Sequence, residues 1–215
     1  MSGTPTRPSH ETARPAGGVS DANALVLAEP SRSGSTCPCS REAHDGTAAS
    51  AGTDRFLRVA FTRAGRDPPR EWADAAGADV HVVDATPCPS ADDLPDGVVG
   101  VEADGPGNLT DLGVRITDAL GELAPSTEVP DGTDAGPVCC LGSLTALLQY
   151  VDTREAYRFL NAVTSRVSSH GGVAHAHLRP EAHDDRTVDT LTSLFDVVAE
   201  TAADGEALTV VRSRR

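Results

Sequence analysis

The chain is organised around residues 136–150, GPVCCLGSLTALLQY. Its first part, residues 138–141, is a short apolar run, which is typical of a strand buried on both faces of a parallel sheet. The pair Gly142-Ser143 then interrupts the strand, and the residues that follow favour a helix with Ser143 at its N-cap. A strand-to-helix turn of this kind predicts the ligand-binding edge of an open parallel sheet.

Apolar runs and helical stripes alternate through the rest of the chain. Strands are predicted at residues 23–28, 56–62, 78–83, 98–101, 173–178 and 208–211. Helices are predicted from Pro68 with Asp67 as cap, from Asn108, over residues 153–170, and from Asp184 or Asp185 with buried side chains as far as Val198. The alternation predicts an α/β fold of three layers, with a mostly parallel sheet and helices on both faces.

Composition divides the chain into a tail and one domain. Residues 1–22 are rich in Pro, Gly, Ser and Thr, so we expect a disordered tail. Residues 23–212 are predicted to form a single domain, which suits a chain of 215 residues. Within that domain, the polar residues 29–53 are predicted to be a flexible loop.

The charge of the chain is strongly negative. All 18 basic residues are arginine, none is lysine, and 32 acidic residues bring the formal net charge to -14. An acidic surface without lysine keeps a protein hydrated when salt screens its charges, so we expect a halophilic source. The same charge argues against binding to nucleic acids or anionic membranes, which requires a basic patch.

The cysteine content and the apolar pattern indicate an internal protein. Five cysteines without a regular framework are typical of reduced thiols and not of a secreted disulfide scaffold. No apolar run approaches the roughly 18 residues of a transmembrane helix. We therefore expect a soluble cytoplasmic protein without a membrane partner.

The central stretch resembles part of a known family. Residues 138–147, followed by a long amphipathic helix and another strand, resemble the second nucleotide-site strand of RecA and KaiC-like ATPases. The segments SLTALLQYVD, residues 143–152, and HAHLRPEAHD, residues 175–184, are more closely similar to an uncharacterised haloarchaeal family that looks like a reduced relative of those ATPases. The resemblance spans residues 23–212 in element order and implies a RecA/KaiC-like fold, not an activity.

Both halves of the ATP site differ from the family pattern. In the ATPases, the residue before the equivalent of Ser143 is an Asp that helps to hold magnesium, whereas this chain has Gly142. The phosphate loop, G-x-x-x-x-G-K-[ST], would align with residues 29–36, where Gly34 and Thr36 fit the pattern. Ser35 replaces the lysine that neutralises phosphate, and Glu29 replaces the first glycine. The resemblance therefore implies a degenerate nucleotide site without catalytic residues, ATP hydrolysis or a bound cofactor.

Histidines near the end of the chain allow a different interpretation. His175 and His177 are two residues apart on a predicted strand, so their side chains share a face, and His183 and Asp184 follow after a turn. A histidine pair with a nearby His or Asp is how some metallohydrolases hold zinc. Because the spacing matches no metallohydrolase motif, structural histidines at the end of a sheet are the favoured interpretation.

The remaining candidates give weaker patterns. Cys37, Cys39 and His44 are one ligand short of a closed zinc site, which Cys88 could complete only through folding. We expect Cys139 and Cys140 to pack as small apolar residues. The sequence around Ser143 lacks the second glycine of a nucleophile elbow.

These patterns favour a protein that acts by binding and not by catalysis. The leading hypothesis is a non-catalytic RecA/KaiC-like domain with a regulatory or signalling role, whose partner is a related ATPase or a signalling protein. One alternative is a metal-dependent hydrolase that uses His175, His177, His183 and Asp184. The other is a domain that binds a nucleotide without hydrolysing it.

Overall fold

The structure, a computed structural model, describes residues 23–27, 53–69, 72, 77–89, 94–124, 136–201 and 208–213. The predicted tail, residues 1–22, lies outside the described residues, as does the predicted loop 29–53 except for Thr53.

The described residues form eight strands and four α-helices. The strands are β1 Ala24–Leu27, β2 Arg55–Ala60, β3 Asp79–Asp84, β4 Val98–Glu102, β5 Val138–Gly142, β6 Val173–Leu178, β7 Val197–Thr201 and β8 Leu208–Ser213. The α-helices are α1 Leu109–Glu122, α2 Leu144–Leu147, α3 Thr153–Ser169 and α4 Asp185–Thr192. Short 3-10 helices cover Arg63–Gly65 and Pro180–Ala182.

All eight strands belong to one sheet. Their order is β4-β3-β2-β5-β6-β1-β7-β8. Every neighbouring pair is parallel except β7 and β8, which are antiparallel. The predicted α/β fold with a mostly parallel sheet is confirmed, and the crossover between sequential parallel strands explains why helices separate them.

The sheet has a packed layer on each face. On one face, alternate strand residues such as Leu57, Leu141 and Ala176 share a core with residues from α1, α3 and α4. On the other face, Phe56 stacks on the helical residue Trp72, with ring centroids 4.8 Å apart. The sheet is therefore the middle of three layers, as the sequence predicted. Across the described residues, no helix is both long and apolar enough to cross a membrane.

Polar side chains cap the first turns of α1 and α3, and the cap at Asn108 was predicted from the sequence. Asn108 accepts a hydrogen bond from the backbone N–H of Asp111 at the start of α1. Asp152 and Glu155 form a reciprocal capping box at the start of α3. Such caps satisfy backbone donors that have no partner within the helix, so each stabilises the first turn.

Two predicted helix boundaries are wrong. The last helix ends at Thr192, and Val198 lies in β7, where it pairs with Leu25 of β1. The apolar residues of β7 fit a helical periodicity as well as a strand, and hydrogen bonding to β1 selects the strand. The helix expected from Pro68 begins later, because Pro68 and Pro69 are not helical whereas Trp72 is.

Glycine allows two backbone segments to meet beside β5 and β6. A methyl group on Gly136 would overlap the backbone of Gly171 and Gly172, and one on Gly172 would overlap the carbonyl oxygen of Pro137. That same carbonyl accepts a hydrogen bond of 3.1 Å from the N–H of Val173, the first residue of β6. The close approach therefore sets where β6 begins against β5.

Gly172→Ala is expected to lower the free energy of unfolding by roughly 1–3 kcal/mol or more, because the added methyl group overlaps backbone that cannot rotate away. Gly113→Ala is the matched control, since Gly113 lies in α1 and has no atom within 4 Å of the added methyl group. The control should raise stability by about 0.5–1 kcal/mol. Denaturant unfolding of both variants measures this difference, and equal effects would contradict the close approach.

Candidate functional site

The carboxyl ends of three central strands lie side by side, in the order β2, β5 and β6. Arg58 of β2 is directly opposite Cys140 of β5, which in turn is opposite His175 of β6. Their side chains share the face that carries Phe56 and Trp72, and Arg58 is only 5% exposed. His177, two residues further along β6, is fully buried on the same face. The sheet thus carries a row of buried polar side chains that leads to its carboxyl edge.

Arg58 is the central residue of this row. Its Nε donates a 2.8 Å hydrogen bond to the carbonyl oxygen of Gly65, in the 3-10 helix that follows β2. Its Nη1 lies 2.8 Å from Sγ of Cys140 and donates to it. Burying a charged group is unfavourable unless it is hydrogen-bonded, so these contacts are what allow a guanidinium at this depth.

Gly142 lies directly against this guanidinium. A methyl group at Gly142 would be 3.3 Å from Nη2 of Arg58 and 3.6 Å from its Cζ. The carbonyl oxygen of Gly142 accepts a 3.1 Å hydrogen bond from the N–H of Phe61, and the peptide bond between Gly142 and Ser143 is cis. The position for which the resemblance implies a carboxylate therefore has no side chain and faces a cation.

The two cysteines of β5 have different surroundings. Sγ of Cys140 lies 3.3 Å from Nε2 of His177 as well as next to Arg58, so it belongs to the polar row, and its predicted role as a purely apolar residue is incomplete. Cys139 faces the apolar core on the other side of the sheet, as predicted. Burial, reinforced by the neighbouring Cys140, raises the pKa of the Cys139 thiol far above its ordinary value, which keeps it uncharged.

The predicted metal candidates lie in separate surroundings. His175 and His177 share one buried face of β6, as their spacing predicted. Nε2 of His183 lies 3.3 Å from the hydroxyl of Thr145, and Asp184 is the N-cap of α4. In the part of the chain that the structure describes, no three His, Cys, Asp or Glu residues are grouped as a metal site.

Several predicted site residues fall outside the described part of the chain. They are Gly34, Ser35 and Thr36 of the degenerate phosphate loop and the candidate ligands Cys37, Cys39 and His44. Cys88 is described and is exposed. Ser143 stands at the N-cap of α2, as predicted, although its side chain makes no capping hydrogen bond there.

Arg58 is the site residue that the sequence reasoning missed. It lies inside the predicted strand 56–62, whose other residues through Phe61 are apolar. A charged residue within a strand buried on both faces needs a buried partner, so its position was the available clue. Which partner it meets depends on strand order, since Cys140 is 82 residues away in the chain.

Comparisons with known proteins identify a family and a fold. A family model described as "Family of unknown function (DUF7504)" matches residues 21–201. The chain is similar in structure to a Pyrococcus horikoshii OT3 protein studied as project PH0250, with a TM-score of 0.50, 12% identity, and coverage of 91% of this chain and 88% of that one. The likeness at this identity concerns the fold alone.

A second solved structure is more distant. The cytoplasmic domain of EssC aligns with a TM-score of 0.35 and 13% identity, over 86% of this chain and 32% of that one. No curated protein matches the sequence.

Arg58→Met should lower the free energy of unfolding by about 2 kcal/mol, because it removes two charge-assisted hydrogen bonds, to Gly65 and Cys140. Arg63→Met is the control, since Arg63 is exposed on the adjacent 3-10 helix. Its effect should stay within about 0.5 kcal/mol. Denaturant unfolding compares the two, and an Arg58 variant as stable as the control would show that the buried guanidinium does not hold this edge together.

The N-cap of α4 predicts that the stability of the fold depends on pH. The pKa of Asp184 is lowered from its ordinary value of 3.8, chiefly because the backbone N–H of Thr187 donates to its carboxylate. The ionised cap therefore stabilises the fold above pH 3.8, and this contribution is lost as the pH falls from 3.8 through the lowered folded-state pKa.

Asp184→Ala should therefore lower the Tm at neutral pH, and the difference from the unmodified protein should shrink in acid below pH 3.8. Thermal unfolding followed by circular dichroism across the pH range measures it. Asp189→Ala on the same helix is the control, because within the described residues the Asp189 side chain caps no helix. A difference in Tm that is constant with pH would contradict the role of the charge.

Proposed function

The chain belongs to the DUF7504 family of unknown function, and we propose that it is a non-catalytic RecA/KaiC-like domain that acts by binding another protein. Its role is regulatory or signalling, and its partner is a related ATPase or a signalling protein. A mostly parallel sheet between two helical layers supports the fold that the resemblance implies, whereas the residues at the carboxyl edge depart from the family pattern.

The observation that carries this proposal is the guanidinium of Arg58 beside Gly142. Magnesium in nucleotide sites is held by oxygen ligands, including carboxylates. Like charges repel, so a positive group close to such a site disfavours a bound cation. A buried cation next to the magnesium position therefore opposes the metal that ATP hydrolysis requires.

The phosphate half of the site supports the same proposal. A chain without lysine has no ammonium group to place against the β- and γ-phosphates. Arginine is a poor substitute in a tight phosphate loop, because its planar fork is larger and more directional than a point charge. Loss of both halves removes the metal and the charge neutralisation together, and the fold then serves as a scaffold for binding.

The purified protein should show no magnesium-dependent ATP turnover when assayed at molar KCl. Phosphate release with and without magnesium measures this, and Thr36→Ala serves as the control that separates intrinsic activity from a contaminating ATPase. ATP turnover that the Thr36→Ala variant abolishes would contradict the proposal. ATP turnover that is the same in the Thr36→Ala variant comes from a contaminating ATPase. Such turnover does not contradict the proposal.

Nucleotide binding without turnover is tested in the same preparation. Thermal unfolding with ATP, ADP or GTP should give the same Tm as without nucleotide, since a ligand that binds only the folded state raises the Tm. A reproducible rise would replace the proposal with the alternative of a nucleotide-binding domain that does not hydrolyse its ligand.

A further inference from the structure

A groove of about 700 Å³ lies between α3 and α4. Its α3 wall includes Arg154, Tyr157 and Arg158, and its α4 wall includes Arg186 and Thr190. The hydroxyls of Thr153 and Thr187, at the starts of the two helices, are 3.2 Å apart and join the walls. Because α3 and α4 each precede a parallel strand, both begin at the carboxyl edge of the sheet.

Three arginines make the lining of this groove positively charged. Arg154 and Arg158 stand one turn apart on α3, Arg186 faces them from α4, and all three are exposed. Within the described residues, none of these three guanidinium groups forms an ion pair, whereas Arg115 on α1 pairs with Asp111 at 3.2 Å. A guanidinium carries five N–H donors, which suit it to a ligand rich in acceptor oxygens.

The two carboxylates that line the groove are already engaged. Asp152 accepts a 2.8 Å hydrogen bond from the N–H of Glu155, and Asp184 accepts one of 2.8 Å from the N–H of Thr187. Both serve as N-caps, where the positive end of a helix offsets their charge. The groove is therefore locally cationic on a chain whose formal net charge is -14.

This reversal of charge identifies the kind of partner. An acidic segment is repelled by most of a chain with 32 acidic residues, so a groove lined by three arginines is where it can dock. Arginine binds carboxylates through paired N–H donors, and arginine and tyrosine are the residues that most often dominate protein interfaces. Tyr157, half-buried in the α3 wall, offers a ring to an apolar side chain.

We propose that the groove between α3 and α4 docks an acidic segment of a partner protein, with carboxylates on Arg154, Arg158 and Arg186 and an apolar side chain on Tyr157. The inference rests on the proposed function and names the chemistry of its partner.

Fluorescence anisotropy with a labelled peptide of Glu-Glu-Leu repeats tests this docking on the full chain, and a peptide of Gln-Gln-Leu repeats is the matched probe. The acidic peptide should bind the unmodified protein, whereas the Gln peptide should not. The triple variant Arg154→Gln, Arg158→Gln and Arg186→Gln should weaken binding of the acidic peptide by about tenfold or more. Affinity should also fall as KCl is raised.

A second triple variant controls for the change in net charge. It is Arg63→Gln, Arg115→Gln and Arg166→Gln, which removes the same charge from exposed positions outside the groove. This control should bind the acidic peptide within about twofold of the unmodified protein, because exposed charges farther from the peptide than a Debye length are largely screened. Thermal unfolding of both triple variants should show a folded protein.

Four results would overturn the proposal. The first is equal binding of the two peptides, and the second is unchanged binding to the groove variant. The third is displacement of the acidic peptide by equal concentrations of inorganic phosphate or ATP, which would assign the groove to a phosphate ligand. The fourth is self-association that the groove variant abolishes without any peptide binding, which would assign it to a second copy. None of these four results changes the predicted absence of ATP turnover. Failure of the docking proposal can therefore be distinguished from failure of the proposed function.

Discussion

Burial of the central strand on both faces is the constraint on which the rest of the structure depends. All five residues of β5 are buried between β2 and β6. On one face they enter the apolar core, and on the other Cys140 and Gly142 meet the guanidinium of Arg58. A charge in that position must be hydrogen-bonded, so the 3-10 helix at Arg63–Gly65 is held where its carbonyl can accept.

The fold is present, but the residues at Gly142 and Arg58 differ from the nucleotide site that the resemblance implies. The sheet needs only buried apolar strands in the right order, and the chain is similar in fold to a Pyrococcus horikoshii protein at 12% sequence identity. At Gly142, where the resemblance implies a carboxylate, the chain has no side chain, and the guanidinium of Arg58 lies beside it. Function depends on individual side chains at the sheet edge, whereas the fold depends on a pattern.

The same topology explains how much of the structure was predictable. Parallel strands need crossovers, so the alternation of apolar runs and helical stripes was enough to predict the layers, the cap at Asn108 and the turn at Gly142. It was not enough to separate α4 from β7, because the apolar residues near Val198 fit both periods. Pairing with β1, from the other end of the chain, resolved that ambiguity.

The sequence by itself determined the α/β class, the acidic and lysine-free surface, and the absence of the expected Asp at Gly142, because each depends on residue type and local spacing. Only the tertiary structure decided that Arg58 faces Gly142 and Cys140, that His183 lies apart from His177, and that arginines from two helices line one groove. These are contacts between distant parts of the chain. Strand order and helix packing determine these contacts, and neither can be predicted from a local sequence pattern.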